Sequence, residues 1–276
     1  MIEGTCIVTG ATGGIGRAIT EGLLERGAKR VILACRNEDK CRRMIESMGE
    51  CRDALEFMSL DLESFASVRR FAESCALRGM TVTALFNNAG TMPGGVKMTE
   101  DGFESATQTN FLSTGLLTDL LLPLMPRGAA VVFTTSMTRR IVNLCEDWRQ
   151  RSVERHGRFT TYGRSKLMLT HYALDLSLRL AERGITVNCS DPGVVDSAII
   201  TMGNPIVDKL SDMIVRPLIS TPEEGAAPAL EAVKSPFTGR IFTQGGNKPI
   251  PVNYQRNSLH AIPSAVIRGL SGALGA

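Results

Sequence analysis

The chain has 276 residues, 43% of them hydrophobic and 21% charged, with a net charge of +3. That is enough apolar material for one large α/β domain, and too mild a charge for a nucleic-acid partner. Aromatics are only 5% and do not interleave with basic clusters, which excludes a base-stacking surface.

Short apolar runs alternate with longer amphipathic ones along the chain. Thr5–Thr9 reads as a strand and Ile15–Arg26 as a helix, then Val31–Cys35 as a strand and Glu38–Ser47 as a helix. Leu55–Leu60 is the third strand, followed by a helix over Ser64–Arg78 that Ser64 can cap. Thr83–Phe86 is a strand, and a long helical zone runs from Gly102 to Met125. Ala129–Thr134 reads as a strand, Thr161–Glu182 as a helix and Thr186–Ser190 as a strand. Thr221-Pro222-Glu223-Glu224 carries a cap, a proline at the first helical position and the glutamate of a capping box. Ile241–Thr243 is a short last strand. This alternation predicts α/β architecture: a single-domain, Rossmann-type, doubly wound parallel sheet with helices on both faces. No repeat or linker divides residues 1–276, so the division is functional: a cofactor half to about residue 135, then a catalytic and substrate half. Residues 137–159 and 197–220 lack clear periodicity and read as binding loops.

Seven cysteines, Cys6, Cys35, Cys41, Cys51, Cys75, Cys145 and Cys189, form no Cys-x-x-Cys. An odd count without that spacing points to free thiols in a reducing cytoplasmic setting, not to disulfides or zinc. His156, His171 and His260 have no metal-like spacing, so no metal is expected. Met-Ile-Glu-Gly leads straight into a strand-like run without a basic n-region, and neither a signal peptide nor an integral membrane segment is expected. The tail 261–276 alternates small, apolar and glycine residues and could cover the substrate cleft, pack on a partner subunit or touch lipid.

The first strand ends in Thr9-Gly10-Ala11-Thr12-Gly13-Gly14-Ile15-Gly16 and a helix follows at once. This is the context of a dinucleotide site. Gly10 makes the tight turn, Gly14 lets a pyrophosphate approach the backbone, and Gly16 lets the helix pack close to the strand. The helix start offers unpaired N–H groups and a positive dipole end. The second strand ends Cys35-Arg36-Asn37, with no acid before Glu38. An acid there would select NAD, whereas arginine accommodates a 2′-phosphate, so the cofactor predicted is NADP(H) rather than NAD(H). Tyr162 and Lys166 lie four apart at the start of a helix, on one face. A fixed positive charge beside a phenol favours phenolate and makes tyrosine a working acid/base.

Further segments complete an ordered set: Asp61-Leu62, Asn87-Asn88-Ala89-Gly90, Asn110, Ser136, Tyr162, Lys166 and Pro192-Gly193. This set resembles the short-chain dehydrogenase/reductase family over nearly the whole chain. Leu33-Ala34-Cys35-Arg36-Asn37 and Leu60-Asp61-Leu62 leading to Ser67-Val68-Arg69 are similar to its retinol dehydrogenase-like branch, which prefers NADP(H). The resemblance implies that Tyr162 is the acid/base and that Lys166 lowers its pKa and holds the nicotinamide ribose. Ser136 would bond the substrate carbonyl, and Asn110 would hold a water linking Lys166 to solvent. Asp61 would face the adenine edge and Asn87 and Gly90 would line the adenosine ribose, with Leu62, Asn88 and Ala89 among the cofactor-binding residues. Pro192, Gly193, Val195 and Ser197 would pass along the nicotinamide, and Thr12, Gly13, Ile15, Arg36 and Asn37 complete the cofactor set. The activity implied is hydride transfer between nicotinamide and a carbonyl or alcohol of an apolar small molecule, such as a retinoid, steroid, lipid-like or xenobiotic compound. Oxidation of a secondary alcohol, or an idle NADP(H)-binding scaffold, are the alternatives. A homodimer or homotetramer is expected, with the 102–125 and 161–182 helices as its contact.

The chain departs from the family pattern in three places. Gly13 stands where many NADP-dependent members place a basic residue or serine, so Arg36 carries more of the phosphate recognition. Asp191 before Pro192 has no account in sequence terms. The interval from Ser136 to Tyr162 is long and holds Arg139, Arg140, Arg149, Arg151, Arg155 and Arg158 against Glu146, Asp147 and Glu154. It reads either as a solvated loop or as an attractor for an anionic substrate.

Overall fold

A computed structural model describes residues 4–95, 97–143, 152–194, 220–251 and 262–272. Strand β1 (Thr5–Thr9) leads to helix α1 (Gly14–Glu25), β2 (Val31–Cys35) to α2 (Glu38–Glu46), and β3 (Leu55–Ser59) to α3 (Phe65–Leu77). After β4 (Val82–Asn87) comes helix α4, built from Ser105–Thr107, a wide π turn over Gln108–Leu112 and Ser113–Leu121. Then follow β5 (Ala130–Thr134), α5 (Ser152–Arg179), β6 (Thr186–Ser190), α6 (Pro222–Ala232), β7 (Arg240–Thr243), β8 (Gly246–Pro249) and α7 (Ile262–Gly272). The strands form one sheet in the order β3-β2-β1-β4-β5-β6-β7-β8. Every pairing is parallel except β7 with β8.

Strand alternation builds both cores. Cys6 and Val8 feed the layer under α1, α2 and α6, while Ile7 feeds the layer under α3, α4 and α5. Val132 and its neighbours Val131 and Phe133 divide the same way. A strand buried on both faces must be apolar at every position, which is why these runs read as continuous rather than alternating. The expected caps form: Ser64 accepts from the Ser67 amide, and Thr221 and Glu224 close a reciprocal capping box. The order reverses between β1 and β4, which opens a crevice at the carboxyl ends of those strands.

Four features are not readable from the sequence. The long helix predicted from Gly102 is interrupted by the π turn, and α5 is kinked at Gly157, whose φ is +71°. The strand β8 has a polar, exposed sequence, Gly-Asn-Lys-Pro. The tail is a helix, α7, laid across α4 and α5 rather than across the cleft. Its Ile267 is fully buried against Gly115, where a Cβ would come within 2.6 Å of the isoleucine. Polar ties fix the same contact: Ser271 donates to Asp119, Arg69 donates to the Leu270 carbonyl, and Arg268 lies 3.7 Å from Asp175. The face expected to receive a second subunit is therefore covered, around Gly115 and Asp119, by the chain's own last helix. Among the described residues, no helix is long and apolar enough to cross a membrane. Truncation of Ile267 to alanine is expected to cost about 2–5 kcal/mol of unfolding free energy, read as a lower urea midpoint at unchanged m value.

Candidate active site

The glycine turn is held from two sides. Gly10 has φ +63°, and a Cβ there would lie 2.9 Å from the Ala89 Cα. Gly16 is tighter still: a Cβ would lie 2.3 Å from the Gly10 carbonyl oxygen. Helix α1 has Gly13 at its N-cap and no side-chain cap, so its first amides open into the crevice. Thr9 at the end of β1 joins this turn to the next loop, because its hydroxyl accepts from the Asn88 and Ala89 amides, each at 3.0 Å. Asn88 returns a bond from Nδ2 to the Thr9 carbonyl at 3.0 Å.

The crevice is a cavity of about 770 Å³. Gly10, Thr12, Gly13, Gly14, Ile15 and Gly16 line one end, together with Arg36, Asn37, Asp61, Leu62, Asn88, Ala89 and Gly90. Ser136, Tyr162, Lys166, Pro192 and Gly193 line the other. A cavity of this size, with bare glycine backbone and an open helix start at one end, fits a dinucleotide. Val195 and Ser197, expected on the nicotinamide side, lie outside the described residues. Asn87 corrects an expectation: its side chain turns into the core and donates to Thr118 at 3.0 Å, away from the crevice. At the glycine-turn end, Arg36 lies 3.4 Å from Glu63 and 3.8 Å from Asp61. Asn37 spends its side chain on the α2 cap, accepting from the Lys40 amide at 2.7 Å. Lys40 also lines this end, and nothing in the sequence separates it from any other helix-surface lysine.

The catalytic candidates converge where β4, β5 and β6 end. Lys166 is 2% exposed and its Nζ donates to the Thr134 carbonyl at 2.8 Å. Tyr162 sits one turn earlier on α5, with Nζ 5.7 Å from its ring centroid. Ser136, just past β5, faces the phenol, and its Oγ accepts from the Thr138 hydroxyl at 3.0 Å. Asn110 is fully buried in the π turn, whose widened geometry is typical of functional sites. Its Oδ1 accepts from the Thr91 amide at 2.8 Å, and its Nδ2 donates to Ser165 at 3.0 Å. Gly90 separates Asn110 from Lys166: a Cβ there would lie 3.2 Å from Nζ and 3.3 Å from Oδ1.

The electrostatics correct one expectation. Burial pushes the Tyr162 phenol up to about 12; Ser136 opposes this, and the Asp191 carboxylate adds to it. Lys166 does not bring the phenol down here, because its ammonium is directed beneath the ring to Thr134. Burial also pulls Lys166 down to about 8, with Asp191 resisting.

The long segment after Ser136 is also corrected in part. Arg139 is not a surface charge: it is 2% exposed and paired with Asp191. Arg140 is exposed and Arg158 lies over the Phe159 ring, 5.0 Å from its centroid. Arg149, Arg151 and Arg155, with Glu146, Asp147 and Glu154, fall outside the described side chains.

The comparisons with known proteins agree with this geometry. The family model described as short chain dehydrogenase matches residues 4–205. The chain belongs to the short-chain dehydrogenase/reductase family. It is 36% identical over 247 residues to a polyprenol dehydrogenase of Mus musculus, spanning 83% of this chain and 71% of the relative. It is 31% identical over 264 residues to human retinol dehydrogenase 14, spanning 86% and 77%. The resemblance to the retinol dehydrogenase-like branch thus holds, and the chain is an oxidoreductase acting on alcohol or carbonyl groups. Among solved structures, an uncharacterised protein from Mycobacterium paratuberculosis superposes with a TM-score of 0.75 at 28% identity, covering 98% of this chain and 93% of that one. A Pseudomonas aeruginosa RhlG/NADP complex gives a TM-score of 0.70 at 27% identity, covering 88% and 95%.

A pH dependence follows from the buried lysine. If reduction needs Lys166 as ammonium and Tyr162 as phenol, kcat/KM is flat below Lys166's value of about 8 and falls as pH rises through it. Steady-state rates between pH 6 and 10 should show this single alkaline limb.

Proposed function

We propose that the chain is an NADP(H)-dependent oxidoreductase that interconverts a carbonyl and an alcohol on an elongated apolar substrate. One observation carries this reading: Ser136, Tyr162 and the buried Lys166 meet at one end of a cavity whose other end is the glycine turn. When bound, the cofactor supplies the hydride. Ser136 donates to the substrate oxygen and fixes its place, and Tyr162 delivers the phenolic proton to that oxygen. Lys166 holds the ribose hydroxyls. Asn110 and Lys166 face the same gap at Gly90, which extends a polar path for the proton away from the reacting atoms.

Arg36 and Lys40 together support NADP(H), since both line the adenosine end and either can meet a 2′-phosphate. Asp61 and Glu63 hold Arg36 near that place. The same residues serve both directions of the reaction. Met92, Met137, Phe159 and Val194 line the catalytic end and support an apolar substrate. Two relatives are named for long apolar alcohols, polyprenol and retinol. The six described cysteines are all free, which supports a reducing, cytoplasmic setting. A homo-oligomer, if formed, uses surface that α7 leaves open.

The decisive variant is Tyr162→Phe, which removes one hydroxyl and keeps the ring. NADPH affinity, measured by fluorescence titration, should stay within about threefold, while turnover of an apolar aldehyde or ketone falls by about 10²–10⁴-fold. Turnover at the wild-type rate would overturn the proton-donor role.

A further inference from the structure

Two buried charges stand beside the site without touching the reacting atoms. Arg139 and Asp191 form an ion pair with side chains 1% and 6% exposed and an Nη1–Oδ2 distance of 2.6 Å. They stand on different loops. Arg139 belongs to the short turn Met137–Arg140 that follows Ser136, and Asp191 is the first residue past β6, before Pro192-Gly193. Each also holds the backbone of a residue lining the cavity. The Arg139 Nη1 donates to the Ser136 carbonyl at 2.5 Å. The Asp191 Oδ1 accepts from the Gly193 amide at 3.2 Å. The carboxylate is itself anchored, because the Asp191 amide donates to the Phe242 carbonyl of β7 at 2.8 Å.

The sheet alone cannot set the geometry of these loops. Its last ties between them are the Thr135 amide and hydroxyl, which donate to the Ser190 carbonyl at 2.7 and 3.2 Å. Beyond that point Ser136 and Gly193 leave the strands, and the ion pair is the next link across the gap. Such a pair is a poor source of stability, because desolvating two charges offsets most of their attraction. The Arg139 Nε, buried without a hydrogen-bond partner, adds to that cost. What the pair supplies is direction: a guanidinium and a carboxylate meet in few geometries. Leucine and methionine could fill the same volume without fixing either loop.

We propose that Arg139 and Asp191 are positioning residues that lock the Ser136 loop to the Pro192-Gly193 turn and so set the substrate oxygen relative to the cofactor. This rests on the proposed oxidoreductase function. Asp191 has a second effect on the same site, since its charge acts on both Lys166 and Tyr162.

The test uses the full chain with NADPH and whichever apolar carbonyl the wild type reduces. The double variant Arg139→Met/Asp191→Leu removes both charges at similar volume. Its melting temperature is expected to stay near or above that of the wild type, with NADPH bound stoichiometrically. Its kcat should fall at least tenfold, and its KM should change by no more than threefold. Asp191→Asn keeps an acceptor for Gly193 but removes the charge that raises both titrating groups. Its alkaline limb should therefore move to lower pH. Arg139→Lys, which keeps a cation and a donor, should recover part of the lost kcat. The proposal is overturned if the double variant turns over at the wild-type rate. It is equally overturned if kcat in all variants only follows the loss of folded protein, with the pH profile unmoved. Should the double variant not fold, the two single variants decide between these outcomes through kcat per bound NADPH and the pH profile. Loss of turnover in Tyr162→Phe alongside unaffected Arg139 and Asp191 variants would remove the positioning role and leave the proposed function standing.

Discussion

The arrangement of the site depends on one buried cation. Lys166 is 2% exposed, and an ammonium cannot be taken from water without groups that replace its hydration. The Thr134 carbonyl at the end of β5 provides one such group at 2.8 Å. The Asp191 carboxylate provides opposing charge from the end of β6. Gly90, past the end of β4, leaves room for Nζ, which any side chain at that position would crowd to 3.2 Å. Three parallel strands thus end in groups that surround this lysine. Tyr162 is placed by the same constraint, one helical turn away and over the ammonium rather than beside it.

The sheet puts that cation next to a cofactor cleft. Reversal of strand order between β1 and β4 splays the α1 and α4 sides apart, and the glycine turn fills the opening with backbone alone. Gly16 lets α1 start within contact of the turn, and Thr9 clamps that turn to the Asn88 loop. The same sheet joins the two ends of the site: β1 and β2 lead to the glycine-turn end, β5 and β6 to the end with Ser136 and Pro192. At the rim, Met137 and Phe159 are half-exposed beside the cavity. Apolar side chains at a cleft mouth recognise length and bulk more than polar detail.

Much of this is legible in the sequence because the signals are local. Strand runs such as Val31–Cys35 show their double burial in composition, and the Thr221 capping box shows its helix start in four residues. The Tyr162–Lys166 spacing is likewise carried within a single turn. What the sequence hides depends on partners far along the chain. Asp191 has no local pattern, since the guanidinium that explains it lies 52 residues away. In sequence Arg139 is one of six loop arginines, and only its burial beside Ser136 sets it apart. The tail helix α7 is rich in glycine and small residues, and only the groove at Gly115 gives Ile267 somewhere to go. The phenol's raised pKa is hidden too, because spacing gives proximity on a helix face but not the direction in which an ammonium points.

Transfer of a hydride within this cleft is the centre of the proposed chemistry, and isotope labelling tests it directly. NADPH carrying deuterium in one or the other C4 position would be turned over with an apolar aldehyde or ketone, and the alcohol analysed by mass spectrometry. A cleft that fixes one face of the cofactor toward Ser136 and Tyr162 predicts deuterium on the carbinol carbon from one C4 position and none from the other. Equal labelling from both positions, or a carbinol hydrogen drawn from solvent, would contradict it.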